Sequence, residues 1–368
     1  MASRHMWNFS QGSFYPDCYK GECGIFCFQG KRIIWGMLMT KKVRLGILGV
    51  AKINQRVFPS FSNMKHTVLA GIASRSLHRA KAAAKEAGIP SAYGSYEEML
   101  KDPAIDAIYN PLPNHLHAEW TMKAADHGKH VLCEKPLAPT AKQASEIVRH
   151  CLLRGVKLMD GFMWPHHPRS ARVKTLLKTA QIGELLRAQG SFTFHMDNLE
   201  SSNIRLDPEK GGGSLLDVGC YPVYGIRWAF EQEPVKVLAM ARFHRGVDVE
   251  MNGTLWFADG RMASFDCGFT MPVRMGLQLT GSQGVLEIPR MWLPEPNASY
   301  QIHREGGTEI HFLPGHDQIA LMHDHFSQCI LEDKFPEPGP MEGVKTLRVL
   351  DALLQSAREG KEIRLSQA

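Results

Sequence analysis

A carboxylate and an ammonium stand side by side at the end of a short apolar run. The run covers residues 130–133, and Glu134, Lys135 and Pro136 follow it directly. Open parallel sheets bind ligands at the carboxyl ends of their strands, so a buried strand here would deliver both charges to such a site. Because Lys135 precedes a proline, its backbone leaves the helical region and a turn aims its side chain. The alternative is a surface Glu–Lys pair before a helix-starting proline.

A second polar pair follows three consecutive glycines further along the chain. Residues 211–213 are all glycine, which lets the backbone approach a ligand closely. Asp217 and Tyr221 come next at a spacing of four, which places them on one face of a predicted helix. The alternative is a satisfied buried carboxylate and a packing tyrosine.

A glycine turn after the first strong strand is the place for a dinucleotide. Residues 43–48 predict a strand, and Gly49 begins the turn into a helix. A glycine permits the tight turn, and small residues let the backbone approach a pyrophosphate at the amino end of the helix. Ala51 and Asn54 replace the later glycines of the strict motif, so a plain strand–turn–helix is the alternative.

The second strand favours one form of the cofactor. It covers residues 67–73, and Ser74 and Arg75 follow, with Arg79 one turn later. An NAD-binding protein would offer a carboxylate to the ribose here, whereas an NADP-binding protein offers an arginine to the 2′-phosphate. No carboxylate is in reach, so NADP is preferred and NAD is the second choice. The alternative is a pair of solvated charges at a helix start.

Two further segments could border a ligand or only stabilise the fold. The stiff loop of residues 111–117 carries Asn114, His115 and His117, which could cap the following helix or contact a cofactor. A packing or capping role is the preferred interpretation for His115. Trp164 fits a core position and a stacking surface for a sugar equally well.

The histidine clusters do not predict a metal site. His166 and His167 are adjacent, so their side chains point apart on any regular element. His323, Asp324 and His325 are spaced by one and two residues on a predicted helix, which splits them across its faces. We therefore expect no metal.

Composition limits the class of protein. The 368 residues are 44% hydrophobic and 22% charged, as in soluble globular proteins, and the length favours two domains. A formal charge of +6 without a long basic run favours anionic small molecules over nucleic acid, and no apolar run approaches a membrane span. The eight cysteines are scattered without a Cys-x-x-Cys pair, which indicates reduced thiols in a cytoplasmic protein.

The elements that must position these residues alternate in type. Strands and helices alternate at regular spacing over residues 41–162, which predicts a doubly wound parallel sheet of the Rossmann type. Its later strands are predicted over residues 104–110 and 156–162, and helices are predicted to begin at residues 77, 95 and 141. Residues 235–304 carry shorter alternating strands with turn glycines, typical of an antiparallel sheet, and the last part of the chain is helical. Residues 1–40 differ from the rest and predict a tag, a non-native segment or a disordered extension.

Taken together, these motifs resemble the glucose-fructose oxidoreductase, inositol dehydrogenase and rhizopine-catabolism family, known as Gfo/Idh/MocA. The resemblance covers residues 41–368 and rests on the Gly49 turn, on residues 134–136, and on the glycine triplet with Asp217 and Tyr221. Within the family, residues 73–75 and 217–222 look most like the NADP-dependent D-xylose and trans-dihydrodiol dehydrogenase branch.

The resemblance implies an α/β protein with two domains. An NAD(P)-binding Rossmann domain over residues 41–162 would precede an α/β domain over residues 163–368, whose large, open, mostly antiparallel sheet binds substrate and forms a homodimer or homotetramer. The Lys135–Pro136 bond is often cis in the family. The implied cofactor contacts are Gly49, Ala51, Lys52, Ile53, Ser74, Arg75, Arg79, Pro111, Leu112, Asn114, His117, Glu134 and Lys135. The implied substrate contacts are Trp164, Asn203, Arg205, Asp217 and Tyr221.

The expected activity is hydride transfer between NADP and a hydroxyl or carbonyl of a sugar, polyol or cyclic diol. Tyr221 would be the acid or base, and the ammonium of Lys135 would lower the pKa of its phenol. Asp217 would orient the substrate, and Glu134 would fix Lys135 or border the nicotinamide. The alternatives are a regulator that binds the cofactor without turnover, and an NAD-dependent enzyme that cleaves glycosides on the same scaffold.

Overall fold

A six-stranded parallel sheet occupies the first half of the computed structural model, which describes residues 24–28, 31–35 and 41–366. Numbered after the hairpin strands β1 (Gly24–Phe28) and β2 (Lys31–Trp35), the strands of this sheet are β3 (Val43–Leu48), β4 (Thr67–Ala73), β5 (Ser91–Tyr93), β6 (Ala107–Asn110), β7 (His130–Cys133) and β8 (Leu158–Asp160). Their order in the sheet is β5-β4-β3-β6-β7-β8, so the direction of winding reverses between β3 and β6. Ligands bind at such a reversal, outside the carboxyl ends of the strands.

Helices cover both faces of this sheet, which explains its continuous apolar strands. Side-chain oxygens cap three of the helices: Ser76 accepts from the Arg79 N–H, Ser95 from that of Glu98, and Thr140 from that of Gln143. The helices are α1 (Asn54–Val57), α2 (Leu77–Ala87), α3 (Tyr96–Lys101), α4 (His117–Asp126) and α5 (Ala141–Leu153).

Two predicted strands are shorter than expected because residues at their predicted ends form turns. The strand predicted over residues 104–110 begins at Ala107, since Ile105 N–H donates to the carbonyl of Asp102. The strand predicted over residues 156–162 is only Leu158–Asp160, since Phe162 N–H donates back to the carbonyl of Asp160. The doubly wound arrangement itself is confirmed.

A nine-stranded sheet fills the second half. Its strands are β9 (Leu185–His195), β10 (Lys236–His244), β11 (Val247–Trp256), β12 (Met262–Gly268), β13 (Thr270–Gly281), β14 (Val285–Pro289), β15 (Asn297–Arg304), β16 (Gly307–Pro314) and β17 (Ile363–Arg364). Their order in the sheet is β16-β15-β14-β13-β9-β12-β11-β10-β17. β9 and β12 form its parallel pair, and every other pair is antiparallel. The expected large, mostly antiparallel sheet is confirmed.

The remaining helices join the sheets. α6 (Pro168–Lys178), α7 (Cys220–Phe230) and α9 (Met341–Glu359) cover one face of the second sheet, while α8 (Gln318–Leu331) packs on the first. The Asp324 carboxylate on α8 accepts the N–H groups of Lys65 and His66 at 2.7 and 2.8 Å. Short 3-10 or π segments cover Phe58–Asn63, Asn114–Leu116, Trp164–His166, Ile204–Leu206, Pro208–Lys210 and Leu215–Gly219.

Residues 42–366 belong to one compact unit, so the expected domain boundary near residue 162 stays a prediction. A separate unit contains an antiparallel hairpin of β1 (Gly24–Phe28) and β2 (Lys31–Trp35). Most of the extension predicted over residues 1–40 lies outside the described residues. No helix in the described part of the chain is long and apolar enough to cross a membrane.

Candidate active site

A cavity of 560 Å³ lies at the winding reversal of the parallel sheet. Loops after β3, β4, β6 and β7 form one wall, and part of residues 204–217 forms the other. We call the end lined by Gly49, Lys52, Ser74, Arg75 and Arg79 the cofactor end. We call the end lined by Glu134, Lys135, Arg205 and Asp217 the catalytic end, and the Tyr221 ring lies next to Lys135.

The turn after β3 requires glycine at Gly49. Its φ is +91°, and a Cβ there would lie 3.0 Å from a methyl group of Leu112. Asn54 is 2% exposed and its amide donates to the carbonyl of Gly49 at 2.9 Å, which closes the turn. Asn54 therefore has a structural role at a position where the strict motif has glycine, and Ala51 and Ile53 line the cavity as expected.

Three exposed cations border the cofactor end. Within residues 41–366, Lys52, Arg75 and Arg79 have no acidic partner in an ion pair. The Arg79 guanidinium reaches only the carbonyl of Val50, at 3.5 Å, and Ser74 lies beside it on the wall. Unpaired cations next to a tight glycine turn fit a dinucleotide that carries an additional phosphate.

The loop after β6 is fixed by its own polar side chains. The Asn114 amide donates to the carbonyl of Gly211 at 2.8 Å, which ties the two walls together. His117 is fully buried, and its ring nitrogens lie 2.8 Å from the carbonyl oxygen of Pro136 and 2.7 Å from that of Leu112. Burial lowers the pKa of His117 to about 4. His117 holds these two loops together, and it lines the cavity with Pro111 and Leu112.

At the catalytic end the fold joins segments that are distant in sequence. The Lys135 ammonium donates to the backbone carbonyl of Asp217 at 2.6 Å and to its carboxylate at 3.3 Å. The same ammonium lies 5.1 Å from the centre of the Tyr221 ring. Lys135–Pro136 is cis, as the family resemblance implied.

Asp217 is held as a carboxylate by two cations. Arg205 Nε donates to its second oxygen at 2.6 Å. Burial alone would raise the pKa of Asp217, but Lys135 and Arg205 outweigh it and lower the value. Burial likewise would lower the pKa of Lys135, but the oxygens of Tyr221 and Asp217 outweigh it and raise the value. Lys135 is therefore a permanent cation at neutral pH.

Tyr221 lies against Lys135 and is 4% exposed. The rings of Phe162 and Phe192 meet it edge to face at 5.3 and 5.2 Å. Burial raises the pKa of the Tyr221 phenol, and the charge of Lys135 only partly opposes that rise. The expected net lowering is therefore wrong, because desolvation is the larger effect. Within residues 41–366 the hydroxyl has no hydrogen bond.

The segment before Tyr221 is a π-helix over Leu215–Gly219, which leads directly into α7, instead of the single regular helix expected. Insertions of this kind are frequent at functional sites. Asp248 on β11 fixes its start, accepting from the Ser214 hydroxyl and the Leu215 N–H, both at 2.6 Å. Sequence reasoning missed Asp248, although an aspartate among the inward-facing residues of a strand was a usable signal.

Two acids, Glu134 and Asp160, lie near Lys135. The Tyr109 hydroxyl donates to Glu134 at 2.7 Å, and Glu134 accepts the backbone N–H of Lys135 at 3.3 Å. Burial raises the pKa of Glu134. Asp160 at the end of β8 is 7% exposed, and its carboxylate oxygens have no partner within residues 41–366. Burial, followed by the charge of Glu134, raises the pKa of Asp160 to about 8. Sequence reasoning missed both Tyr109 and Asp160.

Three expected substrate contacts, Trp164, Asn203 and Tyr221, are not among the residues that line the cavity. Trp164 is fully buried and packs edge to face with Tyr224, Trp228 and Trp292, which is a core position. Asn203 uses its side chain to accept the N–H of Arg205 at 3.1 Å. In the described residues, no three His, Cys, Asp or Glu side chains come together in a way that could hold a metal.

Known proteins share this architecture over most of its length. The oxidoreductase family with an NAD-binding Rossmann fold matches residues 43–162, and the GFO/IDH/MocA C-terminal domain matches residues 170–287. The D-xylose 1-dehydrogenase (NADP(+)) 2 of Haloferax volcanii is 35% identical over 325 residues, covering 87% of this chain and 99% of that protein. The trans-1,2-dihydrobenzene-1,2-diol dehydrogenase of Xenopus tropicalis is 33% identical, covering 68% and 76% respectively.

A solved structure has a similar fold. The crystal structure of a 3-ketoreductase from Actinomadura kijaniata with NADP and TDP-benzene has a TM-score of 0.81 and is 32% identical. The match covers 86% of this chain and 98% of that one. Family matches on both halves, together with relatives aligned over most of their length, show that this chain belongs to the GFO/IDH/MocA oxidoreductase family.

Proposed function

We propose that this chain transfers a hydride between NADP and the hydroxyl or carbonyl group of a sugar, polyol or cyclic diol. The observation that carries the proposal is the contact of Lys135 with both Asp217 and Tyr221 at one end of a dinucleotide-sized cavity. Relatives named for NADP-dependent xylose oxidation and for dihydrodiol oxidation support this reaction class.

The residues of the cofactor end would hold NADP. The backbone around Gly49 would face the pyrophosphate, and Arg75 and Arg79 would pair with the 2′-phosphate as charge-assisted hydrogen-bond donors. NADP supplies or accepts the hydride when it is bound, and the protein supplies orientation and electrostatics. NAD lacks the 2′-phosphate, so it would leave both arginines unpaired.

Lys135 and Tyr221 would handle the proton and the charge on the reacting oxygen. In reduction, the permanent ammonium of Lys135 stabilises the negative charge that develops on that oxygen, and the phenol of Tyr221 donates the proton. Because burial raises the pKa of Tyr221, the protonated form dominates at neutral pH. Oxidation needs the deprotonated phenol, so its rate should rise with pH.

Asp217 would act on Lys135 and not directly on the substrate, which is a change from its expected role. Both carboxylate oxygens are occupied, one by Lys135 and the other by Arg205. A carboxylate held in this way fixes the ammonium against the Tyr221 ring and resists rotation of either cation. Glu134, held by Tyr109, would border the nicotinamide beside this cluster.

The deciding experiment follows nicotinamide absorbance with purified protein. NADP and NAD are offered in parallel with pentoses, hexoses, inositols and a cyclic diol, and the reduced cofactors with the matching ketones. Net reduction or oxidation with one substrate class, faster with NADP, is the expected result. Tight NADP binding without any hydride transfer would instead support a regulator that binds the cofactor without turnover. Glycoside cleavage without net change in the cofactor would support an NAD-dependent enzyme that cleaves glycosides.

The outer face of the second sheet supports the proposed homodimer or homotetramer. Its two flanks expose large apolar side chains, with Met240 at 73% and Phe312 at 64% exposure. A second copy of the chain is the proposed occupant of this face, and light scattering of the purified protein measures the mass of the assembly directly.

The cysteines of the described residues support the proposed cytoplasmic location, because all of them are free thiols. They are Cys133, Cys151, Cys220, Cys267 and Cys329.

A further inference from the structure

The proposed reaction makes no use of the Asp160 carboxyl, although this group lies directly behind the cavity wall. Asp160 ends β8 and pairs in the sheet with Cys133, the residue before Glu134. Gly161 follows it, and a Cβ there would lie 2.9 Å from the Cα of Glu134. Because Glu134 lines the cavity and Asp160 is only 7% exposed, the carboxyl lies one layer behind the surface that faces a ligand.

Charges on the cavity side of Asp160 already balance one another. Lys135 and Arg205 are the cations of this cluster, and both contact Asp217. Glu134 is the second anion, and both of its oxygens accept hydrogen bonds. An ionised Asp160 would therefore add a negative charge without a cation of its own, and within residues 41–366 its oxygens have no hydrogen-bond partner.

Charges on the other side of Asp160 are balanced in the same way. Glu342 in the first turn of α9 accepts from Arg227 at 3.3 Å and from Lys345 at 2.9 Å. Further titratable groups that face Asp160 are uncharged, because burial raises the pKa of each. They are Cys133 on β7 and Cys220 and Tyr224 on α7.

Two effects act on the Asp160 proton in opposite directions. Burial and the neighbouring Glu134 raise the pKa to about 8, because a buried carboxyl without a cation keeps its proton. The amino end of α9 has the opposite effect, because a helix start favours a negative charge. Asp160 points at this end, since a Cβ at Gly343 would clash with its Oδ2. A positive charge placed in the cavity can therefore displace the proton near neutral pH.

Resting on the proposed function, which places NADP in this cavity, we propose that Asp160 releases its proton when NADP⁺ binds and keeps it when NADPH binds. The oxidised nicotinamide carries a positive charge that the reduced ring lacks, whereas the phosphates of the two forms are identical. Glu134 already balances Lys135, so ionised Asp160 supplies the negative charge that matches the oxidised ring. The O–H bond of the carboxyl breaks, its proton passes to solvent, and no electron is transferred. Asp160 thus sets the preference of the protein for oxidised or reduced cofactor at a given pH.

The first test compares the Kd of NADP⁺ with the Kd of NADPH by fluorescence titration. The two measurements are made at about pH 6 and about pH 9, on either side of the Asp160 pKa of about 8. The rise in pH should lower the Kd of NADP⁺ about 10-fold relative to that of NADPH, which corresponds to a pKa shift of about one unit. Titration of the shared phosphates cancels in this ratio. An equal pH dependence of the two Kd values would overturn the inference.

A variant assigns the pH dependence to Asp160. Asp160→Asn keeps the shape of the neutral acid but cannot ionise, so the ratio of the two Kd values should become nearly independent of pH. Asp351→Asn is the matched control, because burial alone raises the pKa of Asp351, with no contribution from the charges of the cavity. It should keep the wild-type dependence. A pH dependence that persists in Asp160→Asn, or that disappears in both variants, would overturn the inference.

Calorimetry of the wild-type protein gives a test that needs no variant. Titrations near pH ~7.5 in two buffers of different ionisation enthalpy should show that NADP⁺ binding releases about half a proton more than NADPH binding. Binding with this pattern but without hydride transfer would uphold the inference and overturn the proposed function. Hydride transfer with equal proton release for both forms would overturn the inference alone.

Discussion

The two ends of the cavity are built in different ways although one fold forms both. The cofactor end relies on backbone shape at Gly49 and on exposed, unpaired cations such as Arg75. The catalytic end relies on Lys135, Asp217 and Tyr221, which are largely buried and hold each other in place. An exposed end can release its cofactor after each turnover, whereas a buried end keeps the acid–base geometry constant. Variants of each end test this contrast.

Removing the ammonium of the catalytic end should have the largest effect. Lys135→Met should lower kcat by about 10³-fold, within the range for positioned acid–base groups, and leave the Kd of NADP within about 2-fold. Turnover and cofactor fluorescence titration measure the two quantities. Lys129→Met is the control, since Lys129 is also buried but donates only to the carbonyls of Asp102 and Ile105. Equal loss of turnover in both variants would contradict the assignment.

A variant of the cofactor end should have a smaller and different effect. Arg75→Ala should raise the KM for NADP by about 10- to 100-fold, because one charged hydrogen bond to the 2′-phosphate is lost. The KM for NAD and the kcat with saturating NADP should stay nearly constant. Arg44→Ala, which removes an exposed cation paired with Asp106, serves as the control. A parallel rise in both KM values would argue against contact with the 2′-phosphate.

The start of the π-helix offers a test of positioning. Asp248→Ala removes the one carboxylate oxygen, Oδ2, that accepts from both Ser214 and Leu215, which should shift Asp217 and lower kcat by about 10-fold. Asp351→Ala is a matched control, because Asp351 caps α5 by accepting the Ala141 N–H at 2.9 Å and does not line the cavity. Both variants should lose stability, but only the first should change kcat. If both variants lost stability and neither changed kcat, the role of Asp248 would be structural only.

The buried carboxyl of Asp160 should make stability depend on pH. Its pKa is raised to about 8 in the folded protein, against about 4 unfolded, so the folded state holds a proton that the unfolded state has lost. This contribution to the free energy of unfolding is complete below pH ~4 and is lost as the pH rises to about 8. Between pH 6 and 8.5, the free energy of unfolding measured with urea should fall less in Asp160→Asn than in the wild-type protein, by about 2 kcal/mol. An identical decrease would show that Asp160 does not carry the proton.

Much of the fold followed from local patterns. The apolar runs of β3, β4 and β7 lie where hydrophobic periodicity predicts them, and Ser76, Ser95 and Thr140 mark the predicted helix starts. Errors of two or three residues occur at strand ends, where hydrogen bonds of individual turns decide the boundary. Residue type alone could not separate the two roles of Trp164, since a core and a sugar-binding surface both favour an indole ring.

The sequence by itself determined which residues could do the chemistry, because Gly49, Arg75, Lys135, Asp217 and Tyr221 occur at positions that local turns and strand ends already mark. Only the tertiary structure decided how they work. It occupies both oxygens of Asp217 with cations and buries Tyr221 enough to raise its pKa, and it places Asp248 under the π-helix. These effects depend on burial and on distances between atoms far apart in the chain, and neither is encoded in the spacing of residues along it.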